Sequence, residues 1–167
     1  MPTDAEITYA DHVGRFYARR YQFPPMVGRL IGYLTVCDPA EQSLGELSEA
    51  LLASRSAISG AVKTLEAMHL IQRTRKAGER MDRVRIDMSS PHAMGFDTSE
   101  YVENRELAHE GLEVLRDASP QRRAILNELV AFSEFLVEQI PLMEQAWEAR
   151  RAALIASGEL IDSRGQR

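Results

Sequence analysis

The chain has 167 residues, 44% hydrophobic and 27% charged, with a formal net charge of −5. This suits one domain with a real core and room for an appended helical arm, and it excludes a protein that binds polyanions through overall basicity. The single cysteine, Cys37, excludes an intramolecular disulfide. No stretch approaches the roughly 18 apolar residues of a membrane span and the start carries no secretory leader, so no membrane association and a bacterial cytoplasmic address are expected.

In chain order, Thr3 to Glu6 has the spacing of a capping box. The helix behind it carries Tyr9, Val13, Phe16, Tyr17 and Arg20 on one stripe. Pro24 ends it, because the residue before a proline is pushed out of the helical region. Pro25 suits the first turn of a second helix over 26–37, whose apolar side is Val27, Leu30, Ile31, Leu34 and Thr35. Residues 38–42 read as a turn. A second capping box, Ser43 to Glu46, opens a short helix with Leu44, Leu47, Leu51 and Leu52 inward.

A residue or two later comes the helix of 54–68, with two usable faces. Ile58, Ala61, Val62, Leu65 and Met68 share an apolar side, while Ser56, Ser59, Gly60 and Lys63 share another. Short hydroxyls, a glycine and a cation suit a helix lying close to a polyanion, with side chains reaching base edges and phosphates; the competing reading is a polar surface helix. The two short helices and their tight turn form a helix-turn-helix candidate. Residues 71–75 and 84–88 then alternate as strands around a bend near Gly78, a hairpin with a basic tip. Residues 54–85 hold eight cations against three anions, net +5, and six of the eight cations lie in the hairpin; residues 89–118 hold two against seven, net −5. A local basic patch on an acidic protein is the footprint of steered polyanion binding. Solvated edge-strand charges are the competing reading. The fold class is therefore mainly α with a small β-hairpin wing.

Ser90-Pro91 restarts a helix, with a break near 95–98 and a new cap at Thr98 or Ser99. Tyr101 or Val102, Leu107 or Ala108, Leu112 and Leu115 mark the inward side of the acidic helix that follows. After Ser119-Pro120, Ile125, Leu129, Phe132, Leu136, Ile140, Met143 and Trp147 recur at steps of three and four, a near-heptad seam. Pro141 should kink or divide that helix, leaving 141–156 as a second segment. Intrachain core competes with a homodimer interface as the reading of the seam, and the dimer is preferred because a long terminal helix after a small winged lobe has little other core to cover. The expected organisation is a helical dimerisation region over 1–23 and 99–156, a winged helix-turn-helix over 24–98, and a flexible tail over 157–167.

The runs 45–51, 54–59, 62–65 and 70–71, with Gly78-Glu79-Arg80, resemble the MarR superfamily of dimeric repressors. Residues 27–34 followed by Cys37-Asp38-Pro39 resemble its GbsR-like branch, closest to actinobacterial repressors of lipid or drug efflux genes. The resemblance implies a dimer of winged helices on palindromic double-stranded operators, nucleoid-associated and released by a small hydrophobic or lipid-like effector. It implies major-groove roles for Ser54, Arg55, Ser56, Ser59 and Lys63. Arg80 would be the wing arginine, with Arg75, Lys76 and Arg83 near phosphates; Glu79 stands where the family often has aspartate.

Phe16, Arg20, Phe23, Met26, Leu30, Met94 and Phe96 are candidates for an apolar crevice between the first helices and the fifth, where a greasy effector would fit; ordinary core is the competing reading. The four histidines share no metal-ligand spacing with each other or with Cys37, so no metal or other cofactor is expected. No nucleophile–base constellation or phosphate loop suggests an enzyme. A winged-helix scaffold for protein contacts, without specific DNA binding, is the alternative function.

Overall fold

The computed structural model describes residues 1–75 and 82–164; residues 76–81 and 165–167 lie outside it. The described elements are α1 (Asp4–Tyr21), α2 (Pro25–Val36), β1 (Gln42–Ser43), α3 (Leu44–Ala50), α4 (Arg55–Ala67), β2 (Ile71–Thr74), β3 (Arg83–Ile86), α5 (Pro91–Met94), α6 (Ser99–Val114) and α7 (Pro120–Ala156). They fall into two compact units, Met1–Ala93 and Met94–Arg167.

In the first unit, α1 starts where its cap dictates: Thr3 accepts the Glu6 N–H and Glu6 accepts the Thr3 N–H in return. The face it buries differs from the expected stripe. Tyr9 and Phe16 are 45% and 47% exposed, while Ala10 and Gly14 are sealed. The reason is a close crossing with α2. A methyl group on Gly28 would lie 2.8 Å from the Gly14 Cα, and one on Gly32 would lie 2.8 Å from the Ala10 Cα. The four-residue step between Gly28 and Gly32 lets two backbones meet where larger side chains would hold them apart. Helix α2 is thereby buried on several sides, with Gly28, Gly32 and Tyr33 inside as well as Val27, Leu30, Ile31 and Leu34, whereas Thr35 is exposed.

The core of this unit joins α1, α2, α3, α4 and the sheet through Leu30, Leu47, Leu51, Ile58, Val62, Leu65 and Val84, all 1% exposed or less. Leu52 does not join them. It is 94% exposed at a φ of 49°, because the left-handed turn between α3 and α4 rotates it outward. The wing is a three-stranded antiparallel sheet in the order β1-β3-β2, with Ile71 opposite Ile86 and Thr74 opposite Arg83. Strand β1 adds to the expected hairpin, pairing Gln42 with Val84 and Ser43 with Arg83.

In the second unit α6 packs along α7. Gly95, at a φ of 76°, makes the expected break, and the α6 start is held by Asp97, which accepts the Ser99 N–H and hydroxyl; Thr98 makes no side-chain cap. Ala108 and Leu112 are buried, while Leu107 is 62% exposed. Helix α7 runs unbroken for 37 residues through Pro141. Pro141 lies on the exposed side of α7, so its ring displaces no packed neighbour, and the helix continues through it one backbone donor short rather than dividing. Beyond it Gly158 reverses the chain at a φ of 78°, Leu160 N–H donates to the Leu154 carbonyl, and Arg164 pairs with Glu148 at 2.7 Å. Residues 157–164 thus turn back along α7 rather than fraying.

Candidate nucleic-acid interface

The interface candidate is built on α4. Ser54 caps it, its hydroxyl accepting the Ala57 N–H at 3.2 Å and lying 3.0 Å from the Ser56 hydroxyl. Ile58, Ala61, Val62 and Leu65 anchor the helix inward. That anchoring turns Arg55, Ser56, Gly60 and Lys63 to the exposed side, with Ser59 half-buried at its edge. A methyl group on Gly60 would meet nothing within 4 Å, so the glycine keeps the helix surface low without being required for packing. Arg55 and Lys63 form no ion pair among the described residues. The face is low, hydroxyl-bearing and cationic.

The wing arginines are arranged differently. Arg73 donates to both carboxylate oxygens of Glu66 on α4, at 2.7 and 3.0 Å, and reaches Asp82 at 3.4 Å. Asp82 in turn accepts from Arg75 at 2.6 Å. The result is an alternating chain of charge from the end of α4 to the root of the hairpin. Arg73 holds the Glu66 carboxyl below the usual carboxylate range, and Arg75 does the same to Asp82. Arg83 donates to both oxygens of Glu46, at 2.9 and 3.3 Å, and to the Glu41 carbonyl at 3.1 Å. It ties the wing root to the start of α3. Glu46 is held low first by the Ser43 backbone N–H, then by the Ser43 hydroxyl and Arg83.

The expected DNA-contact set therefore separates. Arg55, Ser56 and Lys63 lie exposed on one helix. Arg75 is exposed but paired. Arg83 is anchored within the fold, so its first role is to fix the wing. Lys76 and Arg80 lie outside the described residues. Sequence reasoning missed Glu66 and Asp82 as partners of the wing cations and Glu46 as the partner of Arg83. The last pair is 37 residues apart in sequence, and only the β1–β3 register brings it together.

The crevice candidates also separate. Leu30 is 0% exposed and belongs to the core. Met26 and Phe23 pack against that core, and Phe16 and Phe23 join Tyr17 and Tyr21 in an aromatic cluster, with Tyr17 and Phe23 stacked at 5.9 Å. The Arg20 guanidinium lies 5.8 Å from the Tyr21 ring centre. Met94 and Phe96 are half-buried in the second unit.

The expected α7 seam mixes two faces. Ile125, Leu129, Phe132 and Met143 are 78%, 38%, 55% and 60% exposed. Ile140 is 7% exposed and Trp147 half-buried. The inward line runs through Leu126, Val130, Ser133, Val137, Ile140 and Trp147, each buried or half-buried, and the four-residue step from Leu136 to Ile140 crosses from one line to the other. Cys37 is buried and its thiol is pushed up to about 11, mainly by that burial, which keeps it protonated at neutral pH. Among the described residues no helix is long and apolar enough to cross a membrane, and no group of three or more His, Cys, Asp or Glu could hold a metal ion.

Residues 93–150 match a family model described as MmpR5-like MarR family transcriptional regulator. The chain is 35% identical over 136 residues to the HTH-type transcriptional regulator MmpR5 of Mycobacterium tuberculosis, covering 77% of this chain and 80% of that protein. It is also similar to the crystal structure of a transcriptional regulator, with a TM-score of 0.72 and 29% identity over 84% of this chain and 99% of the other.

Proposed function

The chain belongs to the MarR family of winged-helix transcriptional regulators, and from that premise we propose that it acts as a homodimeric repressor of a palindromic double-stranded operator. The observation that carries the reading is the outer face of α4, where Arg55, Ser56, Gly60 and Lys63 are exposed together on a helix held rigidly from behind. A helix so presented can enter a major groove, with Arg55 near its N-terminal end for a base edge or phosphate and Lys63 two turns on for phosphate. The ion-paired wing root supports the same reading, since Arg73 ties β2 to Glu66 of α4 and Arg83 ties β3 to Glu46 of α3.

Dimerisation is supported by the exposed apolar line of α7: Ile125, Leu129, Phe132 and Met143, flanked by Phe135 and Leu142. Exposed contiguous apolar surface of this kind marks a protein contact. Two copies related by a two-fold axis would read two half-sites about one helical turn apart. Release by a small hydrophobic ligand remains part of the proposal, supported by the half-exposed aromatic group around Phe16.

The test is a mobility-shift series on DNA from upstream of the chain's own gene. Specific retardation is expected. Lys63→Ala should weaken binding on every sequence alike and reduce the salt slope by about one. Absence of retardation on native upstream DNA at low salt would favour a protein-contact scaffold instead.

A further inference from the structure

Leu52 combines two features that rarely meet in one residue. Its side chain is 94% exposed, more than any other large apolar residue described except Met1 at the chain start. Its backbone is left-handed, at a φ of 49°. Among the described residues the other non-glycine positions of positive φ, Gln22 and His69, carry polar side chains just past the ends of α1 and α4. A large apolar side chain in that region costs conformational energy that glycine would not. A single exposed apolar side chain means little by itself. One held outward against its backbone preference points to a use.

The neighbours do the holding. Leu51 is sealed in the core at 1% exposure, its carbonyl accepts from Arg29 at 3.3 Å, and Arg29 donates in turn to Asp11 at 2.6 Å. Ala53 packs against the core, donates its N–H to the Ser48 carbonyl at 3.0 Å and accepts the Ser48 hydroxyl at 2.6 Å. Leu52 donates its own N–H to the Glu49 carbonyl at 3.3 Å. With the residue fastened on both sides, its side chain stays outside.

Two residues on, Ser54 caps α4, and Leu52, Ser54, Arg55 and Ser56 are all exposed. At one Cα step per residue, Leu52 lies within about 8 Å of that cap. A helix entering a major groove by its N-terminal end brings the residues just before its cap to the lip of the groove, where the sugar–phosphate backbone runs. We propose that Leu52 is a non-ionic DNA contact, its side chain laid on deoxyribose carbons beside a phosphate that faces the start of α4. The sugar offers C–H surface that an apolar side chain can cover. The adjoining hydroxyls and Arg55 suit a polyanion better than an apolar protein partner. This contact rests on the DNA-binding reading and adds to it a residue from the turn before the helix.

Anisotropy titrations of the full chain on duplex from upstream of its own gene, over a range of salt, test the contact. Leu52→Gly should melt at the same temperature or higher, since glycine relieves the backbone, yet bind about fivefold more weakly. The loss should be the same at every salt concentration, because an apolar contact releases no counterion. Leu52→Met, which keeps the apolar reach, should retain most of the affinity. Leu52→Lys should steepen the salt slope by about one, since it sets a cation beside the phosphate. Leu52→Gly binding as tightly as the wild type, a loss accompanied by a changed slope or a lower melting temperature, Leu52→Met as weak as Leu52→Gly, or a wild-type slope in Leu52→Lys would each overturn the contact. A wild-type chain that binds no duplex would overturn the DNA-binding reading and this contact with it, whereas differences among the variants bear on the contact alone.

Discussion

The two units of this chain satisfy themselves to different degrees. Among the described residues, the unit over 1–93 seals eight side chains to 1% exposure or less, from Ala10 of α1 to Val84 of the sheet, and presents hydroxyls and cations outward. Residues 94–164 bury only Ala108, Leu112, Ser133 and Ile140, and expose Leu107, Val114, Ile125, Phe132, Phe135, Leu142 and Met143. Among the described residues, buried polar side-chain atoms without a partner divide the same way: Thr74 in the first unit, against Arg123, Ser133 and Trp147 in the second. A unit that closes its own core can offer a polar face to a polyanion. A unit that does not is shaped by what will cover it.

The largest expected effect comes from denying the second unit that cover. Leu129→Glu with Phe132→Glu places two charges per copy on the exposed line of α7. It should weaken self-association on the order of a thousandfold, from roughly 25 cal/mol per Å² of lost apolar burial doubled by symmetry. Sedimentation velocity reads the result, and a dimer unchanged at the same concentration would move the interface off this line. Helicity should survive, because both residues are outside the inward line.

A smaller effect contrasts two glycines inside the first unit. Gly28→Ala forces a methyl group to 2.8 Å from the Gly14 backbone and should cost about 1–3 kcal/mol in urea unfolding. Gly60→Ala meets nothing within 4 Å and should stabilise α4 by up to about 1 kcal/mol. The same substitution should weaken DNA binding if α4 lies against the duplex. Gly28→Ala without cost, or Gly60→Ala as costly as Gly28→Ala, would break the picture of a packed inner and an open outer surface.

The smallest effect concerns Glu46. Its carboxyl is lowered from the ordinary 4.5 by the Ser43 N–H, the Ser43 hydroxyl and Arg83. A lowered carboxylate adds stability that is fully present above the unfolded-state value and is lost as pH falls through the folded-state one. The melting-temperature gap between the wild type and Glu46→Gln should therefore be constant near neutrality and close as pH drops below 4.5. The side chain is 44% exposed, so the gap stays small after solvent screening. A gap that widens with acid would reverse the assignment.

Local chemistry was legible in the sequence, and distant chemistry was not. Both capping boxes, the α3–α4 pair and the two hairpin strands follow from signals within a few residues, and the structure has them. Strand β1 escaped because Gln42 and Ser43 are polar yet buried, so no apolar alternation announces them. The α1–α2 crossing escaped because contact there is made by the absence of side chains, which no apolar stripe announces. On α7 the apolar residues recur at helical spacing but occupy two faces, and spacing alone does not say which faces inward. Of the candidate interface, the α4 face could be read from periodicity. The carboxylates that hold Arg73, Arg75 and Arg83 could not, since a basic run looks equally basic before its partners are known.

The central claim is that two winged lobes, joined through the exposed line of α7, read one palindromic duplex. The most direct measurement is the stoichiometry and affinity of the complex on a full operator and on a single half-site, by mass photometry with a salt titration. The account predicts two chains per full duplex, a half-site bound far more weakly, and affinity that falls steeply with salt. One chain per duplex, with the half-site bound as tightly as the whole, would contradict it.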